Sequence, residues 1–154
     1  IDAMKRRLPM VGDIFFKCAL ARSNRTLASL VDSGVPILKS LEMTSEVTDN
    51  AVIGKAYTSL RDAARKGASL GDTAKNISVF PVMIAHMMKV GEETGQLETM
   101  LDKVAGWFEM ELDEKIKRLT SILEPVLIIF VGGIVALVAL AIFTPIVTAI
   151  QTMM

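Results

Sequence analysis

The side chains with chemical potential are few: His86, Cys18, the adjacent carboxylates Glu92 and Glu93, and the glycine-containing run Gly67-Ala68-Ser69-Leu70-Gly71. His86 is the only histidine and sits among Ile84, Ala85, Met87 and Met88, so neither a metal triad nor a Ser/His pair can be assembled around it. Cys18 is the only cysteine, which excludes an internal disulfide and a thiolate cluster and suits a reducing compartment. A general acid/base pair must converge across a cleft, and neighbours in sequence such as Glu92 and Glu93 rarely do. The glycine run lacks the Gly-Lys-Ser/Thr ending of a phosphate loop. The sequence therefore predicts no catalytic residue, no cofactor and no metal site: the chain is not read as an enzyme.

The elements that carry these residues are set by a strong asymmetry in polarity. Mean hydropathy is +0.45, yet all 17 basic and 17 acidic side chains fall at or before Glu124. Basic residues are not clustered with aromatics, which excludes a nucleic-acid surface. The chain opens on Ile1 without a signal-peptide pattern, and residues 1–13 read as a linker following an upstream part of a longer protein.

Residues 126–150 carry no charge, and Val126 to Phe143 are all apolar or glycine. A bilayer core of about 30 Å needs about 20 such residues in a helix, so residues 124–150 are predicted to span a membrane. Lys115, Lys117 and Arg118 precede the span and nothing charged follows it. By the positive-inside rule the preceding domain is then cytoplasmic, with residues 151–154 as a short periplasmic tail. Gly132, Ala136 and Ala139 share one helical face on which another helix could pack closely, or they merely reflect the common use of small residues in spans. Pro125 and Pro145 favour local bends. Glu124, at the boundary, could meet a positive group of a partner or serve as an interfacial residue favoured near a helix N-terminus.

Helical periodicity recurs through residues 14–123 with no strand-like alternation, so the fold class is all-α. The expected helices run from about Phe15 to Asp32, Pro36 to Val47 and Val52 to Lys66, then a short one capped by Ser69, one from Phe80-Pro81 to Glu93, and a long sixth from Leu97. Gly34, Gly67 and Gly95 end helices, Pro36 opens one, Asn50 falls in a polar stop and cap, and Ser69 with Asp72 reads as a capping-box variant. Apolar spacing from Leu97 through Leu101, Val104, Phe108 and Leu112 to Leu123 makes the sixth helix roughly 40 Å long before the membrane. The acidic stretch from Glu109 to Glu114 and the basic Lys115, Lys117 and Arg118 read as a solvated face, the basic end also suiting anionic lipid headgroups.

At this point the turn sequences are recognisable as a set: Ser33-Gly34-Val35-Pro36-Ile37-Leu38 with Leu41-Glu42, Gly67-Ala68-Ser69-Leu70, Phe80-Pro81, and Val90-Gly91-Glu92-Glu93-Thr94-Gly95-Gln96-Leu97. With Leu123-Glu124-Pro125 and Pro145-Ile146, over residues 10–150, they resemble the type II secretion system F domain, the module of the inner-membrane platform protein of type II secretion and type IV pilus machines. The resemblance implies a six-helix antiparallel cytoplasmic bundle, here the second copy, followed by the last transmembrane helix. It further implies a mechanical role: coupling a hexameric assembly ATPase to pilins or pseudopilins, among other inner-membrane machine components, in a homo-oligomer. A membrane-anchored helical adaptor or signalling domain is the alternative. Gly34, Pro36, Gly91, Glu92, Glu93 and Gly95 are the hairpin-corner and partner-contact candidates; Glu92 and Glu93 either accept backbone donors at the start of the sixth helix or present charge to the ATPase.

Overall fold

A computed structural model describes the backbone of residues 7–154 and the side chains from residue 12 onward. Among the described residues six helices follow one another: α1 (Arg7–Asp32), α2 (Ile37–Val47), α3 (Ala51–Arg65), α4 (Leu70–Lys75), α5 (Val82–Thr94) and α6 (Leu97–Met153). No strand occurs among the described residues.

The boundaries follow local chemistry. Asn50 caps α3, its side-chain oxygen accepting from Val52 N and Ile53 N. Pro36 and Pro81 precede α2 and α5 in extended conformation, where a missing N–H costs nothing. Gly34, Gly67 and Gly95 each take positive φ after a helix, the left-handed conformation that glycine adopts without strain. One boundary differs from the sequence reading: α1 begins at Arg7, not near Phe15, so part of the expected linker is helical. Pro9 lies in the first turn, where its backbone nitrogen has no helical partner to lose. Residues 1–6 of that linker lie outside the described residues.

The chain divides into two compact units, Ile1–Asp113 and Glu114–Met154. In the first, Leu20, Leu27, Leu41, Ile53, Leu60, Ile84, Leu101, Val104 and Phe108 are fully buried in one core, and Tyr57 meets Phe80 edge-on at 5.2 Å. Each fully buried large apolar side chain contributes about 1.5–3 kcal/mol, which is what holds helices too short to stand alone. This first unit closes at Asp113, where the apolar stripe beyond Leu112 is no longer covered: Ile116 and Leu123 are exposed. In the second unit Val126 to Ile150 are almost wholly exposed, as an uncharged helix is when lipid is its intended solvent.

Candidate functional site

The junction of α4, α5 and α6 is built by a carboxylate and three glycines. Glu92 accepts from Ser69 Oγ at 2.7 Å, Leu70 N at 2.8 Å and Gly71 N at 3.1 Å. These donors form the start of α4, so Glu92 caps α4 from across the bundle; the expectation that it serves the start of the sixth helix is corrected. Chain connectivity favours the nearest helix start, but the fold brings a distant one closer. The Ser69/Asp72 box is also only half formed. Ser69 Oγ accepts from Asp72 N at 3.3 Å, while the Asp72 carboxylate turns to Lys89 Nζ at 2.9 Å. That pairing lowers the Asp72 pKa and raises that of Lys89.

Close backbone approach explains the glycines. A Cβ on Gly71 would lie 2.4 Å from Lys89 Cβ and 2.6 Å from its Cα, so α4 approaches the backbone of α5 at Lys89 closely enough that only glycine fits on the α4 side. A Cβ on Gly91 would lie 2.8 Å from Leu97 Cα, which sets how tightly α6 folds back on α5. Gly95 takes φ +70 in the turn between them, and Gly91 O accepts from Gln96 N at 3.0 Å. Gly34 and Pro36 form a separate turn, in which Val35 N donates to Leu30 O. Glu93 is exposed beside Glu92 and takes no part in the cap.

A polar seam joins α1 to α6 and was not foreseen. Asn24 is fully buried and donates from Nδ2 to Leu101 O at 3.0 Å. Arg25 binds Glu109 through Nε at 3.1 Å and Nη2 at 2.9 Å, and also binds Asp102. The hydrogen bond with Glu109 raises the Arg25 pKa. Lys17 Nζ meets Glu111 at 3.1 Å. The only hint in the sequence was one asparagine between Leu20 and Leu27 on an apolar stripe; its partners lie more than 70 residues away.

Lys115, Lys117, Arg118, Glu124 and Pro125 all lie on α6, as do Gly132, Ala136 and Ala139, and the helix contains both Pro125 and Pro145. No group of three or more His, Cys, Asp or Glu among the described residues is arranged to hold a metal ion.

A small all-helical unit whose last helix runs into an uncharged, membrane-length segment is the class of protein these features define. Residues 25–145 match the family described as "Type II secretion system (T2SS), protein F", and the chain belongs to that family. It is 41% identical over 154 residues to the type IV pilus assembly protein PilC of Thermus thermophilus, covering 99% of this chain and 38% of that protein. To PilC of Myxococcus xanthus it is 37% identical over 139 residues, 90% of this chain and 33% of the relative. To the type II secretion system protein F of Pseudomonas aeruginosa it is 35% identical over 145 residues, 94% of this chain and 36% of the relative. The chain thus spans little more than a third of the curated relatives it matches. Membership and the one long apolar helix among the described residues together support a place in the inner membrane.

Proposed function

We propose that this chain is the second cytoplasmic bundle and last span of a platform protein that couples a hexameric assembly ATPase to pilin or pseudopilin movement, in type IV pilus assembly or type II secretion. The observation that carries this reading is α6: one helix, Leu97–Met153, contains both residues packed in the bundle core and the whole uncharged span. A helix transmits displacement along its axis because every residue is tied to the next turn by backbone hydrogen bonds.

The bundle is cytoplasmic and the C-terminus periplasmic in this reading, from Lys115, Lys117 and Arg118 ahead of the uncharged stretch. Its antiparallel arrangement is supported by the α1–α6 seam, where partners on α6 fall in number from Glu111 to Asp102 as those on α1 rise from Lys17 to Arg25. The exposed Glu93 and Gly95 of the corner that buried Gly91 holds tight, and the separate turn of Gly34 and Pro36, are the surfaces offered to the ATPase. Glu92 is engaged in the cap, so Glu93 carries the charge. The basic residues meet anionic headgroups at about 1 kcal/mol each. Gly132, Ala136 and Ala139 suit a neighbouring helix in a homo-oligomer, and Glu124 remains a candidate contact for a cationic group. The chain itself is assigned no chemistry.

Deleting the full-length protein from cells tests this. Fibre assembly or secretion is expected to cease while the purified ATPase hydrolyses ATP unchanged; normal fibres and normal secretion would overturn the reading.

A further inference from the structure

The outer face of α5 is left open by the shortness of its neighbour. Helix α4 stops at Lys75, and Val82, at the start of α5, stays 79% exposed. Between the two helices runs a groove of about 390 Å³ with Gly71, Ala85 and Val90 in its lining. Val82, Ala85, His86, Lys89 and Glu93 lie three, four, seven and eleven positions apart along α5, so the groove follows one helical face.

Its charges are ordered. The Asp72–Lys89 pair neutralises the middle. Leu70 and Gly71 meet Glu92, and Asp72 meets Lys89, so α4 runs against α5 and brings Lys75 toward the Val82 end. Lys75 thus stands at one end and Glu93 at the other; among the described residues neither forms a salt bridge, though Lys75 acts on Asp72 and Glu93 on Lys89 at longer range. The dipole of α5 has the same sense, with its negative end beside Glu93.

We infer that this groove receives an amphipathic helix of another protein, running opposite to α5, with small aliphatic side chains on its buried face. The helix carries a basic residue in its first turn against Glu93 and an acidic residue in its last turn against Lys75. Its own dipole is complementary in that direction only, because its positive end then meets Glu93 and its negative end Lys75. The inference goes beyond the proposed function: the two share Glu93, but the groove does not require that the helix belong to the ATPase.

The test places a photo-crosslinking residue at positions 75, 82, 86 or 93 of the full-length protein in its native membrane, with exposed position 59 on α3 as control. Mass spectrometry is expected to map adducts from positions 82 and 86 to residues three or four apart on one helix of another protein. Position 93 should reach its first turn and position 75 its last. Glu93→Lys should cut the yield about tenfold, and reversing the basic partner residue should restore it. Helical circular dichroism and an unchanged melting temperature would confirm that Glu93→Lys is folded. The opposite polarity, adducts on a second copy of this chain or on lipid, or yields no higher than from position 59 would each overturn the inference.

Discussion

Adding one methyl group at Gly71 should be among the most damaging changes available to the soluble unit. The new Cβ would sit 2.4 Å from Lys89 Cβ and 2.6 Å from Lys89 N and Cα. Carbon atoms pack at about 3.5–4.0 Å, so α4 and α5 must separate by more than about 1 Å. Two of the obstructing atoms are backbone, and no rotamer change relieves them. Overpacking of this kind costs about 1–3 kcal/mol. Separation would also stretch the bonds from Leu70 N and Gly71 N to Glu92, with loss of a cap adding about 1 kcal/mol. We therefore expect Gly71→Ala to lose about 2–4 kcal/mol. Gly106 is the matched control: it lies inside α6 with nothing within 4 Å of its notional Cβ. Gly106→Ala should gain about 0.5–1 kcal/mol from helix propensity alone. Urea unfolding of the detergent-solubilised protein, followed by circular dichroism, measures both. A Gly71→Ala variant as stable as wild type, or the two variants moving in the same direction, would refute the packing argument.

Other outcomes follow from the same contacts. Glu92→Ala should cost about 1–2 kcal/mol by removing a three-donor acceptor, whereas Glu93→Ala should stay within about 0.5 kcal/mol; parallel denaturation curves distinguish them. Tyr57 is fully buried with no partner for its hydroxyl, and burial pushes its pKa up. Tyr57→Phe keeps the edge contact with Phe80 and should be neutral or stabilising by up to about 1 kcal/mol, read as the melting temperature. The depressed Asp72 pKa means its pairing contributes above the unfolded value near 3.8 and is lost as pH falls through the lower folded value. The raised Lys89 pKa means its share is present below 10.5 and is lost as pH rises through the higher folded value. Asp72→Asn should thus lower the neutral plateau slightly and flatten the acid limb of a stability–pH profile, the variant and wild type converging once Asp72 is protonated in both states.

Helix existence, the glycine corners and the Asn50 cap were legible in sequence because their causes are local: periodicity, positive φ, and a side chain reaching two or three residues ahead. Features that depend on distant segments were not. The sequence paired Ser69 with Asp72 at capping spacing, but Lys89, brought close by the narrow Gly71 contact, competes for that carboxylate. Glu92 was readable as an acceptor of backbone donors, though which helix it served depended on tertiary contact. The α1–α6 seam through Asn24 and Arg25 had no local signal beyond one asparagine on an apolar stripe, because its partners on α6 are distant in sequence. The uncharged span was the easiest feature to read, since hydropathy over 25 residues requires no partner to interpret.

The central claim is that α6 carries movement from bundle to membrane. Inserting four glycines after Thr120 in the full-length protein breaks that helix outside both the packed core and the uncharged segment. The decisive measurement is fibre assembly or secretion by cells producing this variant, at wild-type abundance and with normal membrane insertion. Assembly or secretion should be lost while the assembly ATPase still hydrolyses ATP; wild-type output from the interrupted helix would contradict the account.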